Sequence, residues 1–280
     1  MRHFHSYGPV INKLHFCVAR NDLIKQCAKQ LLGDPQEGGH YFTIWAPRQN
    51  GKTWLIQEVK KQLDVYQTTD FITGVMSMQG VILKDEEPAD AFLSHAPLLM
   101  WETFGLKIET PSDWGAFRQI FSSKDGLFNQ PVILFIDEFD SLPAKVIDLL
   151  VTLFRDMYLK RGSYLLHGLA LIGVHAVLGV GSDRGSPFNV QRALRVPNFT
   201  QEEVNDLFEQ YQVESSQKIM PEVVEQVYAS TCGQPGLVCW FGELLTEKYN
   251  PGQSVTILPE HWQDVYNRAL NINWHVTCTV

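Results

Sequence analysis

Val132-Ile133-Leu134-Phe135-Ile136 is an unbroken aliphatic and aromatic run that stops at two adjacent carboxylates, Asp137 and Glu138. A strand with one wet face alternates apolar and polar residues, whereas a run of this kind belongs to a parallel strand covered on both faces. The chain around it agrees. Tyr41 to Trp45 and Phe71 to Met78 are short segments rich in aromatic and β-branched residues, and Leu165 to Val174 supplies another buried segment. Helical spacing lies between them: Asn21 as N-cap before Leu23, Ile24 and Cys27 to Leu31; then Trp54, Leu55, Val59 and Leu63; then, after Pro143, a stripe of Val146, Leu150, Leu153, Phe154 and Met157. Ala91 to Phe121 is helical in pattern but broken by Pro97 and Pro111, so its boundaries stay open. Strands alternating with helices predict an α/β fold with a parallel sheet and right-handed crossovers.

After Arg195-Val196-Pro197 the pattern changes. Thr200 and Glu203 form a capping-box pair ahead of Val204, Leu207 and Phe208, and Pro221 opens a helix carrying Val224 and Val227. Gly233-Gln234-Pro235-Gly236 breaks that helix. Leu237 to Tyr249 reads as a further helix, Val255 to Leu258 as a short strand, and about Glu260 to Leu270 as a final helix. The expected organisation is an irregular N-terminal arm (residues 1–15), an α/β core (16–197) and a small helical, winged-helix-like lid domain (198–280). A length of 280 residues, 45% of them hydrophobic, is enough to bury both cores.

The formal charge of -8 argues against a large sequence-independent nucleic-acid surface, because such binding is driven by lysine and arginine displacing counterions. A local basic patch is still compatible with it. Cys17, Cys27, Cys232, Cys239 and Cys278 are odd in number, scattered, and form no C-x-x-C pair, which reads as thiols of a reducing, cytoplasmic compartment. Met1-Arg2-His3-Phe4-His5 lacks the apolar core of a secretion signal. Tyr164 to Val180 is shorter than a bilayer span and is interrupted by His167, Gly168, Gly173 and His175, so a buried strand is expected there and no membrane partner.

Directly after the first strand comes Ala46-Pro47-Arg48-Gln49-Asn50-Gly51-Lys52-Thr53. The spacing is that of the phosphate-binding loop G-x-x-x-x-G-K-[ST], with Ala46 in place of the first glycine. The chemistry requires successive backbone N–H groups turned toward phosphates, and Gly51 permits that close approach. Lys52 would reach the β- and γ-phosphates, the Thr53 hydroxyl would bind magnesium, and the dipole of the following helix would add to both. Taken alone, the octapeptide could be an ordinary polar loop before a helix. Likewise Asp137 and Glu138 alone could be a helix N-cap followed by a solvated acid. Together, in this order, they point to one site: a carboxylate ending a buried strand is costly unless a magnesium ion or hydrogen bonds compensate it, and Glu138 is placed to polarise a water against the γ-phosphate. Guanine-reading N-K-x-D is missing, so ATP is expected rather than GTP.

With these residues in view, the sequence resembles the AAA-like branch of P-loop ATPases, in particular the bacterial and archaeal ATPases related to the STAND signalling class, from about Phe16 to Leu270. The resemblance rests on Val18-Ala19-Arg20, the 46–53 loop, Ile136-Asp137-Glu138, Leu171-Ile172-Gly173-Val174-His175, Ser186-Pro187-Phe188-Asn189 and Gly233-Gln234-Pro235. It implies that Arg20 borders the nucleotide, that His175 at the end of the sensor strand touches the γ-phosphate or attacking water, and that Pro235 packs near adenine. It also implies that Arg184, with Arg192 and Arg195 as rivals, reaches a neighbouring subunit's nucleotide. No arginine follows Gly233-Gln234-Pro235, where many AAA+ motors carry a second sensor, and this favours a switch over a processive motor. The resulting expectation is a slow, magnesium-dependent ATPase acting as a regulatory or assembly switch. Its partners would be ATP and ADP, further copies of itself, and an unidentified protein effector or trigger. The alternatives are an ATP-holding scaffold with negligible turnover and a DNA-transaction ATPase that loads a nuclease or transposase.

Overall fold

The structure is a computed structural model that describes residues 1–34, 38–66, 70–174, 193–252 and 254–271. The chain divides into two compact units: Asn21–Pro47 with Leu55–Val196, and Met1–Arg20 with Arg48–Trp54 and Pro197–Val280.

The first unit is built on β1 (Tyr41–Trp45), β2 (Ile72–Ser77), β3 (Val132–Asp137), β4 (Leu166–Gly173) and β5 (Ala193–Arg195), in the sheet order β2-β3-β4-β1-β5. Every pairing is parallel. All six residues of β3 are buried, as an uninterrupted apolar strand requires. The three-residue β5 was not expected: it runs exposed, buried, exposed, and is too short to show a period. Helices α1 (Asn21–Leu32), α2 (Lys52–Tyr66), α3 (Ala96–Phe104), α4 (Trp114–Gln119) and α5 (Ala144–Leu159) alternate with the strands. One face of α5 buries Val146, Leu150, Leu153, Phe154 and Met157, the stripe its spacing foretold. The ambiguous 91–121 span becomes a 3₁₀ segment, Ala89–His95, followed by α3 and α4. Pro97 sits in the first turn of α3, where an amide hydrogen has no partner within the helix, so this proline starts a helix rather than breaking one.

In the second unit, α6 (Gln201–Ser215), α7 (Pro221–Thr231), α8 (Pro235–Glu243) and α9 (Pro259–Asn271) surround a core that includes Val204, Phe208, Val227, Val238, Phe241 and Trp262. The capping box at Thr200 and Glu203 is formed. Phe4, Phe16 and Val18 join this core, so the N-terminal segment, although irregular, is docked. Phe4 is 1% exposed, with ring centroids 5.2 Å from Phe16 and Phe208 and 5.4 Å from Tyr211.

Val255 to Leu258, expected as a strand, contributes only an isolated bridge between Ile257 and Ile219. Its partner segment runs at once into α7 at Pro221, and its own chain runs into α9 at Pro259, so neither side has room to extend the ladder. Among the described residues no helix is long and apolar enough to cross a membrane.

Candidate nucleotide-binding site

β1 hands the chain to α2 through the octapeptide. Ala46 is fully buried and its amide donates to the Gly173 carbonyl at 3.4 Å, continuing the β1–β4 ladder past Trp45. The left-handed residues of the loop are Gln49 (φ 61°) and Gly51 (φ 81°); Ala46 is not one of them, which explains why alanine is accommodated where glycine is usual. A Cβ built on Gly51 would meet no atom within 4 Å, so its surroundings are open to a ligand's close approach. α2 begins at the next residue, Lys52. The first amide groups of a helix lack intrahelical acceptors, and its dipole favours an anion there.

The same loop is bonded to the turn that opens α8, within the second unit. Pro235 occupies the first turn of α8 and has no amide hydrogen; the next amide, that of Gly236, donates to the Gln49 carbonyl at 3.1 Å. Gln234 caps the helix, accepting from the Leu237 amide at 2.6 Å, while its Nε2 donates to the Arg48 carbonyl at 3.0 Å. Asn50, 1% exposed, donates from Nδ2 to Asn198 Oδ1 at 3.0 Å. A Cβ on Gly236 would stand 2.7 Å from the Gln49 Cβ, so only glycine allows this approach.

On the α/β unit, Asp137 closes β3, is 8% exposed, and accepts the Glu138 amide on Oδ1 at 2.9 Å. Glu138 is exposed and left-handed (φ 54°), a costly backbone for a residue with a Cβ. Two residues on, Asp140 accepts the Val174 amide at 2.7 Å and packs so closely on Gly173 that a Cβ there would lie 2.8 Å from the Asp140 Cγ. The acid turn is thereby fastened to the end of β4. Strand registers pair Trp45 with Gly173 and Ser77 with Asp137, so Ala46, Asp137 and Gly173 share the carboxyl edge of the sheet. That edge is where open α/β sheets bind ligands.

The remaining candidates fall differently. Arg20 is buried and makes four hydrogen bonds, to the Pro197 and Asn198 carbonyls at 2.8 and 2.9 Å and to both carboxylate oxygens of Glu203 at 3.3 and 3.1 Å. This geometry is that of a tie onto the start of α6. Arg195, on β5, places its guanidinium 5.3 Å from the centre of the Trp45 ring. His175, Arg184, Arg192 and the 186–189 motif lie outside the described residues. Sequence reasoning missed Gln234, Gly236 and Asp140 as partners of these turns; Pro235 signalled the start of a helix, but glutamine is not an ordinary N-cap residue and gave no sign of its role.

A parallel sheet whose β1 runs through Gly51-Lys52-Thr53 into a helix, and whose β3 ends in an acid pair on the same edge, defines a P-loop ATPase domain of the AAA-like kind. The model of the AAA-like domain family matches residues 6–275, and the chain belongs to that family. No curated protein matches the sequence. Among solved structures, the chain is similar to the Aeropyrum pernix ORC1 protein in complex with DNA (TM-score 0.55, 13% identity, 90% of this chain and 66% of that one). It is also similar to Drosophila ORC bound to DNA (TM-score 0.61, 12% identity, 90% and 61%) and to Cdc6p from Pyrobaculum aerophilum (TM-score 0.61, 13% identity, 91% and 70%). At these identities the likeness is one of fold, and the chain spans 66% and 61% of the two ORC chains.

Proposed function

We propose that this protein binds ATP with magnesium on the 46–53 loop and hydrolyses it slowly, as a nucleotide-dependent switch in which residues 198–280 act as the lid. The observation that carries the reading is the open, left-handed Gly51 at the start of α2, on a loop that leaves the same sheet edge as the buried Asp137. Lys52 supplies the cation for the β- and γ-phosphates. The Thr53 hydroxyl and Asp137 carboxylate are hard oxygen donors of the kind magnesium takes. When bound, magnesium would neutralise charge on the β- and γ-phosphate oxygens. Glu138 is the base: its exposed carboxylate takes a proton from the water that attacks the γ-phosphate in line.

Coupling to the lid is supported by the hydrogen bonds from Gln234 and Gly236 to the loop carbonyls, since a loop that reshapes around phosphates must either keep or release them. This supports the STAND-like switch over a scaffold that merely holds ATP. DNA belongs to the two ORC structures, and a charge of -8 lends it no support as a ligand here. Titration of a fluorescent ATP analogue with and without magnesium, paired with phosphate release, tests the proposal. Saturable binding lost in Lys52→Ala and measurable turnover are expected; unchanged affinity in that variant would remove the loop from the mechanism.

A further inference from the structure

We propose that His3, His5 and His15 form a second, independent ligand site, which binds one divalent transition-metal ion of the imidazole-preferring class, zinc foremost. The three residues converge because of local backbone geometry. Residues two apart on an extended segment project to one side, which places His3 and His5 together. An isolated parallel bridge then sets His3 beside His15, through His3 N donating to the Leu14 carbonyl at 2.9 Å and Phe16 N to the His3 carbonyl at 3.1 Å. The result is a triad whose candidate ligand nitrogens all lie within 4.8 Å of one another. The His5 and His15 rings stack at 3.9 Å, and His3 meets His15 edge-on at 4.7 Å; imidazole donates in its own plane, so one of the stacked rings must turn for both to reach a single ion.

One observation turns this proximity into a site. The Nε2 atom of His5 is buried and makes no hydrogen bond of ordinary geometry, although the Gly8 and Pro9 backbone lies close to the ring; a metal ion would satisfy it. Acidic side chains border the segment: Ser6 Oγ donates to Glu243 at 3.3 Å, and the Phe4 amide donates to Glu247 at 2.9 Å.

His15 carries a cost the other two do not. Its Nδ1 accepts the Ile11 amide at 2.9 Å. Ligation through Nδ1 displaces that bond directly; ligation through Nε2 displaces it too, because the ring proton must then sit on Nδ1. The ion would therefore rearrange the 11–15 turn as it binds, with water completing the coordination. Bound there, it would close the loop between His3 and His15 and fasten the segment that carries Phe4.

The test uses the full chain without a histidine tag, titrated with cobalt as a spectroscopic probe and with zinc in competition. Expected are one equivalent bound, visible cobalt bands displaced by zinc, and a rise in melting temperature with zinc. His3→Gln is the first variant because His3 is exposed and its loss spares the core. His5→Gln is the second, with circular dichroism to verify its fold. Each should weaken binding by at least the roughly 10- to 100-fold that loss of even an outer-shell partner costs. Absence of saturable binding, or binding equally strong in folded His3→Gln and His5→Gln, would overturn the site.

Discussion

The amide of Gly236 donates to the carbonyl of Gln49 at 3.1 Å, joining the opening turn of α8 to the middle of the phosphate-loop motif. Two carbonyls of that loop, those of Arg48 and Gln49, are held by one helix terminus. Gly236→Ala tests how tight this junction is. In a helix the change alone would gain up to about 1 kcal/mol. Here the new Cβ collides with Gln49 at 2.7 Å, and overpacking of that kind costs about 1–3 kcal/mol. A net loss of stability in urea unfolding is expected, accompanied by altered ATP affinity; a stabilised variant would show that the approach is loose.

Asp137 and Glu138 should separate by phenotype. Glu138→Gln keeps size and hydrogen-bonding capacity while removing the base, so turnover should fall by about 10²- to 10⁴-fold with ATP affinity retained. Asp137→Asn should weaken magnesium-dependent binding as well. Single-turnover hydrolysis and ATP titration on both variants decide the assignment, and a Glu138→Gln protein that turns over at the parental rate would refute it.

Glu138 also carries a backbone cost, with φ at 54°. Glycine has no such penalty, so Glu138→Gly should raise stability by about 1 kcal/mol while lowering hydrolysis. Chemical denaturation alongside phosphate release reads both effects. Loss of stability would mean that the turn is relaxed with glutamate in place.

Phe4→Ala removes a ring that is 1% exposed and packed on Phe16, Phe208 and Tyr211. Truncations of this kind cost about 3–5 kcal/mol. Thermal melts should show a large drop, and protease should cut the N-terminal segment sooner. A small change would indicate that the segment contributes little to the core.

Acidification should destabilise the fold. His5, His15 and His167 are all held below the ordinary histidine value, in each case chiefly by burial. The unfolded chain therefore binds more protons than the folded one, and stability present above about pH 6.5 is lost as pH falls through the folded values. Glu247, raised by burial, has the opposite sign, but acts lower, nearer the carboxylate range. Melting temperatures compared at about pH 7.5 and about pH 5.5 should differ in that direction.

Much of the α/β unit was legible in the chain because its signals are local. The apolar run at 132–136 and the stripe on α5 state their own burial, and the 46–53 loop states its chemistry by spacing. What escaped was non-local or short. β5 acquires its identity only from β1, through pairs such as Trp45 with Arg195. The Gln234–Arg48 and Asp140–Val174 bonds join residues 186 and 34 positions apart, and no periodicity reports such a bond. Phe4 and the three histidines sit where the pattern is irregular, so their convergence emerged only from the bridge between His3 and His15.

The core shared by Phe4, Phe16, Phe208 and Phe241 bears on the order in which this chain is made. Residues 55–196 emerge from the ribosome as one stretch, shortly after 21–47, and all five strands of the sheet are available by Arg195. Phe4 must wait for α6 and α8, more than 190 positions later in the chain, before its ring has anywhere to go. Domains tend to fold as units as they are synthesised. The helical unit thus closes after the sheet, and until it does the segment that carries Phe4 has no core to enter.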